Sequence, residues 1–247
     1  MKKVLGLLMI LFLLSGLYAS ASAQVLIYTK NGEGYVHDNI AASVAALQKI
    51  CEHNELTADV SDDPAVFTQD NLAQYKTIVF DNTNNNIFDT QSQRDALVHY
   101  VQTGGGIMGI HIACGSERDW PWFTAMMGGL FLRHPVLQPF DIKVIDNDHP
   151  ATYFLPDPWK WEDECYFMNH LNPDIKVLLA ADLTTIKDDE RDKYPGATWG
   201  DLAPLAWYHE YDGGREFFTA LGHKIDHYQD PVFLRHLEAG LLWSMHK

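Results

Sequence analysis

The sequence predicts a single three-layer α/β domain, a mainly parallel sheet with helices on both faces, and three observations predict it. Short apolar runs containing β-branched residues alternate with stretches whose apolar residues recur at helical spacing. Glycine-containing loops separate the two kinds of stretch. The chain, 247 residues with 47% hydrophobic side chains, is long enough for one sizeable core. Strands alternating with helices pair in parallel through right-handed crossovers.

Taken in order, the elements begin after a leader. Lys2 and Lys3 precede an apolar run from Val4 to Leu14, and Ala21-Ser22-Ala23 supplies the small-x-small pattern of a signal-peptidase site. The expected division is a signal peptide over residues 1–23 and one domain over 24–247. The mature chain would then start at Gln24, periplasmic or secreted, with no membrane attachment once the leader is cleaved. The apolar run is short for a permanent span.

Val25 to Thr29 reads as a strand, and the loop Asn31 to Tyr35 follows it. Ile40, Val44, Leu47 and Ile50 fit a helix. Thr77 to Phe80 is a second buried strand. Ala96, Leu97, Tyr100 and Val101 mark another helix, which Gly104 to Gly106 stops before a strand over Ile107 to Ile110. Phe140 to Ile145 and Val177 to Ala180 read as strands. Leu205 to Tyr208 and Glu216 to Leu221 flank Asp212-Gly213-Gly214, a hairpin signal. Val232, Leu237 and Leu241 fit a closing helix, and Thr184 to Thr198 is a polar surface excursion.

The chain carries 18 Lys and Arg against 33 Asp and Glu, a net charge of −15. Such a surface repels phosphate backbones, so nucleic acid is not an expected partner. Cys51, Cys114 and Cys165 are odd in number and widely spaced, without a disulfide framework. No Gly-x-Gly-x-x-Gly fingerprint is present for a nicotinamide cofactor.

Ligands of open α/β sheets bind beyond the carboxyl ends of the strands, which selects among the 12 histidines. His37 follows the first strand, His111 ends the strand Ile107 to Ile110, and His223 follows the strand Glu216 to Leu221. His53, His99, His227, His236 and His246 carry no comparable signal.

Gly104-Gly-Gly-Ile-Met-Gly-Ile-His111-Ile-Ala113 resembles the glycine-rich strand–turn motif of ThuA-like (trehalose-utilisation) proteins. Gly34-Tyr-Val-His37, Phe131-Leu-Arg-His134-Pro135, Asp163-Glu164-Cys-Tyr166 and Gly214-Arg215 running into Leu221-Gly222-His223 match further motifs in the family's order. The resemblance implies a flavodoxin-like fold of the class I glutamine amidotransferase type. In those amidotransferases a Gly-x-Cys-x-Gly turn holds a nucleophile, with a later histidine and, two residues on, a glutamate. Here His111 stands at the cysteine position and Ile225 at the glutamate position, so glutamine hydrolysis is not expected.

His37, His111, His223 and Glu164 are the expected catalytic groups, with His134, Trp122 and Trp161 binding substrate. Three imidazoles and a carboxylate could hold a divalent transition metal such as zinc, with His37, His111 and His223 as ligands. They could equally share acid–base work near neutral pH, and no His-x-x-x-His spacing decides between the two. Of the adjacent pair, Glu164 is expected to be functional and Asp163 a loop or cap residue. Cys114 is expected to be a structural thiol.

The resemblance further implies carbohydrate utilisation, with a small-molecule sugar or 3-keto glycoside as substrate and a functional link to a sugar oxidoreductase. A non-catalytic sugar-binding module and a Cys114-dependent hydrolase are the alternatives.

Overall fold

A computed structural model describes residues 24–246; the leader expected over residues 1–23 lies outside them. The first half alternates as expected: β1 (Val25–Tyr28), α1 (Ile40–His53), β2 (Ala58–Ser61), a single-turn α2 (Gln69–Leu72), β3 (Thr77–Asp81), α3 (Gln91–Gln102) and β4 (Gly106–Ile110). A short helix α4 (Pro121–Met126) then leads into β5 (Leu130–Arg133), β6 (Gln138–Val144), β7 (Trp159–Asp163), β8 (Phe167–Asn169) and β9 (Lys176–Asp182). The long strand β10 (Leu202–Tyr211), β11 (Gly214–Thr219) and α5 (Pro231–Ser244) close the chain.

Nine strands form one sheet in the order β2-β1-β3-β4-β11-β10-β9-β6-β7. The first five are parallel, and the rest pair antiparallel outward from β11. Every residue of β1, β3 and β4 is buried, as strands covered on both faces must be. Phe217 of β11 packs under Gly240 of α5, while its neighbour Phe218 stacks on Trp207 from the opposite face. The result is the three-layer flavodoxin-like arrangement.

The predicted hairpin joins β10 to β11, with Asp212 and Gly213 both at positive φ. A two-residue turn of that handedness suits the twist of paired strands. The polar excursion also lies on the surface, pinned where Arg133 grips Asp188 through two bonds of 3.0 and 2.7 Å. The sequence reading missed β2, β5, β7 and β8. β2 is a polar edge strand. β7 reads Trp-Lys-Trp-Glu-Asp with alternating burial, a period-2 signal that two tryptophans obscured.

Candidate functional site

The carboxyl edge of the parallel strands gathers three histidines. His37 sits in the loop after β1, His111 directly follows β4, and His223 follows β11. Their ring centroids lie 4.7 Å (His37 to His111), 5.3 Å (His37 to His223) and 5.4 Å (His111 to His223) apart. Four antiparallel steps return β7 to the direction of β11, so Glu164, immediately after β7, arrives at the same edge. One nitrogen or oxygen from each of His37, His111, Glu164 and His223 lies within 4.8 Å of all the others.

Each group is held by a different device. The loop of His37 is tied to the segment after β3, where Asn84 Nδ2 donates to the carbonyl of Tyr35 and Asn85 Nδ2 to that of Glu33. His111 adopts φ +54°, a left-handed conformation costly for a residue with a Cβ, and this turns its ring into the cluster. Its Nδ1 lies 2.8 Å from the carbonyl oxygen of Ala220. A carbonyl only accepts, so Nδ1 carries the hydrogen and Nε2 keeps its lone pair. The Tyr166 hydroxyl donates to that Nε2 at 2.7 Å.

The Gly222–His223 segment is gripped from both sides. Asp163 accepts the amides of Gly222 and His223 at 2.9 and 3.3 Å, the amide of Glu164 at 2.8 Å and the indole of Trp161 at 2.9 Å. Asn39 Nδ2 faces the carbonyls of Gly222 and His223 at 2.7 and 3.0 Å. Asp163, expected as a loop or cap residue, is wholly buried and fixes the loop backbone that carries His223.

The cluster has a floor and a mouth. His111 is fully enclosed and His37 nearly so; Glu164, His223 and His134 reach the surface in increasing degree, their side chains 11%, 20% and 35% exposed. Glu164 Oε2 is 3.2 Å from His223 Nδ1 and 3.7 Å from His111 Nε2, and Oε1 is 3.4 Å from His134 Nε2. The His223 contact is close but off the line of a full hydrogen bond. Burial, reinforced by the neighbouring imidazoles, holds His111 well below the ordinary histidine pKa and His37 down at about 4. Contact with Glu164 raises His223. Burial pushes the Glu164 carboxyl up, but His223, His134 and His37 outweigh it and leave it below the usual range. The floor favours neutral imidazoles; at the mouth Glu164 and His223 each favour the other's charged form.

The structure does not bring the two selected tryptophans to this mouth. Trp122 donates its indole N–H to Asp212, in the turn at the amino-terminal end of β11 and so at the opposite edge of the sheet. Trp161 is buried behind the site, its ring 4.4 Å from that of His227 at a tilt of 39° and its N–H on Asp163. Flat polar-edged rings suggested sugar contact, but both find their partners within the protein. Cys114 is buried beside Met168, its thiol raised by desolvation, and lies outside the donor cluster.

Tyr166, Asn39 and Tyr35 were given no role from the sequence. Tyr35 is 64% exposed and meets His37 edge-on at 4.8 Å, which makes it the aromatic ring offered at the mouth. A groove of about 850 Å³ between α1 and α5 is roomier. No set of metal-type donors converges there; among the described residues only the histidine cluster forms one. No helix among the described residues is long and apolar enough to cross a membrane.

The profile of a family described as trehalose utilisation, ThuA, matches residues 24–244. A ThuA-like protein from Bacteroides uniformis ATCC 8492 superposes with a TM-score of 0.71 at 24% identity, covering 92% of this chain and 93% of that one. A second, from Parabacteroides merdae ATCC 43184, gives 0.68 at 22% identity and 90% of each chain. A cold-adapted β-galactosidase from Rahnella sp. R3 shares the fold over 31% of its length, with a TM-score of 0.57 at 14% identity over 91% of this chain. No curated protein matches.

Proposed function

The chain belongs to the ThuA family of trehalose utilisation, and from that premise we propose that its histidine pocket acts by proton transfer on a sugar or 3-keto glycoside outside the inner membrane. The observation that supports this is Glu164, which two imidazoles of the open mouth, His134 and His223, approach at 3.4 and 3.2 Å. The leader motif over residues 1–23 is the basis for export.

A 3-keto group acidifies the C2–H bond of a glycoside. His134, the most open of the pocket's imidazoles, takes that proton while His223, whose protonated form the neighbouring Glu164 favours, faces the developing enolate oxygen. Collapse of the enolate restores the ketone, forms the C1–C2 double bond and breaks the C1–O bond. The leaving oxygen receives the proton from His134. His111, enclosed and bonded to Ala220 and Tyr166, forms the floor against which the other groups are positioned.

The test is consumption of a 3-keto disaccharide by the processed chain, expected to begin at Gln24, followed by sugar chromatography. His134→Ala and His223→Ala should each lower turnover by at least about 100-fold, the usual worth of a proton-transferring group. His111→Ala should abolish it, and Cys114→Ser should keep most of it. Full activity in both His134→Ala and His223→Ala would sink the assignment. Loss only in Cys114→Ser would favour the thiol hydrolase, and binding without turnover the sugar-binding module.

A further inference from the structure

We propose that His37, His111, Glu164 and His223 together bind one divalent transition-metal ion of the zinc type. The ion would sit at the floor of the pocket proposed to process the sugar, and its binding stands or falls independently of turnover.

The donor set is the first argument. Three imidazoles and one carboxylate form a mixed nitrogen–oxygen site that suits zinc and its first-row neighbours. All four come from segments tied down by the sheet or by buried side chains, not from free loops. In a tetrahedral site with bonds of roughly 2.0–2.1 Å, donors lie about 3.4 Å from one another. The donor atoms here already lie within 4.8 Å, with Glu164 Oε2 at 3.2 Å from His223 Nδ1 and 3.7 Å from His111 Nε2. Rotamer adjustments of about an ångström would bring the set to coordination distance.

The second argument is buried ring nitrogens that lack an aligned hydrogen-bond partner. His37 Nδ1 is buried without a hydrogen-bond partner, and His223 Nδ1 is buried without an aligned one. Leaving such groups unsatisfied costs about 1–3 kcal/mol each, so a structure that keeps them implies a partner. Packing three imidazole rings against one another gains little by itself, because each ring must give up water.

The third argument is the surrounding shell. Ligating histidines donate their other N–H to a backbone carbonyl or carboxylate, which fixes the tautomer. His111 does this through Ala220. His134 Nε2 lies 3.4 Å from the second oxygen of Glu164, and Asp163 with Asn39 fixes the backbone of His223. Tyr166 occupies the His111 lone pair; its hydroxyl also neighbours Glu164, so it has an acceptor to turn to when the ion takes that nitrogen. The ion would then place positive charge where the enolate oxygen develops, the task that His223 performs in the ion-free pocket.

The experiment strips the purified full chain with chelator and titrates it with Zn²⁺, Co²⁺, Mn²⁺, Ni²⁺ and Fe²⁺. Bound metal is measured by elemental analysis, and for Co²⁺ by its visible absorption. The expected result is about one ion per chain, weakened at least ten-fold in each of His37→Ala, Glu164→Gln and His223→Ala and unchanged in His99→Ala, which alters an exposed histidine of α3. Circular dichroism of the stripped variants checks that they fold, and Glu164→Gln, nearly isosteric, keeps the test decisive if an alanine variant does not. Substoichiometric uptake of all five ions, or uptake by folded Glu164→Gln and His223→Ala equal to wild type, overturns the proposal. Metal binding without turnover of 3-keto sugars upholds the site while removing the proposed substrate; turnover in a chain that takes up no ion does the reverse.

Discussion

The parallel half of the sheet and its antiparallel extension contribute to the same pocket by different means. In the parallel half, β1, β4 and β11 each end in a loop that delivers one histidine to the carboxyl edge. These strands are covered on both faces, and position follows from topology alone. In the extension, β6 and β7 are buried on alternate residues; the direction of β7 brings Glu164 to the edge, and irregular segments bring Tyr166 and His134 there. What stiffens those segments is side-chain bonding to backbone. The contrast is sharpest at two aspartates that end strands. Asp163, ending β7, receives four donors on its two oxygens. Asp81, ending β3, receives two donors on one oxygen and leaves the other without a partner. The first joins the two halves of the site; the second is enclosed by a sheet that already stands.

Removing Asp163 should therefore have the largest effect. Asp163→Ala would strand three backbone amides and an indole N–H in the interior, and such orphaned donors cost about 1–3 kcal/mol each. Urea unfolding at pH 7.5 should show a loss of about 3 kcal/mol or more, with Asp163→Asn losing less because its carbonyl still accepts. A loss under about 1 kcal/mol for the alanine variant would mean that the extension does not depend on this carboxylate.

The same contrast explains what could be read in the sequence. His37, His111 and His223 were legible because a parallel strand followed by a helix fixes which end faces a ligand, and the apolar runs mark the strands. Glu164 was legible only through its motif. Asp163 was legible as a residue that holds a loop, but its partners were not: it points inward and holds Gly222 and His223. Trp122 and Trp161 misled because composition cannot distinguish an indole awaiting a sugar from one whose N–H already has Asp212 or Asp163 as its acceptor. Asn39 left no local signal at all, since the carbonyls of Gly222 and His223 that it faces lie more than 180 residues away.

A second test sets the imidazoles of the floor against the Glu164 and His223 pair at the mouth. His37 and His111 have folded pKa values below the unfolded value near 6.5, so between pH ~6.5 and their folded values the unfolded chain binds protons that the folded one refuses. Stability then falls on acidification, by at most about 1.4 kcal/mol per pH unit for each group. His223 is raised, so its contribution is complete below pH ~6.5 and is lost only as pH climbs through its folded value. Glu164 is lowered, so its contribution is lost below pH ~4.5. Between pH 6.5 and 5 the floor accordingly dominates within the site. Urea unfolding of chelator-treated protein should show a shallower acid slope in His37→Phe than in wild type, and equal slopes would contradict the neutral floor.

The smallest effect is expected at Asp81, and its sign is the informative part. The carboxyl is wholly buried, and desolvation raises its pKa to about 7 despite the Ser43 and Asn82 bonds. A folded pKa above the unfolded value near 3.9 means that stability declines as pH rises from about 4 to about 7 and is level beyond. An asparagine there would keep an oxygen for both donors, set an amide where Oδ2 has no partner, and carry no charge. Asp81→Asn should thus match or exceed wild-type stability at pH 8, and the advantage should shrink toward pH 4.5. Chemical denaturation of both proteins across that range decides it. A variant weaker than wild type by more than about 1 kcal/mol at pH 8 would show that the parallel half, too, depends on a buried carboxylate, and the distinction between the two halves would fail at its simplest point.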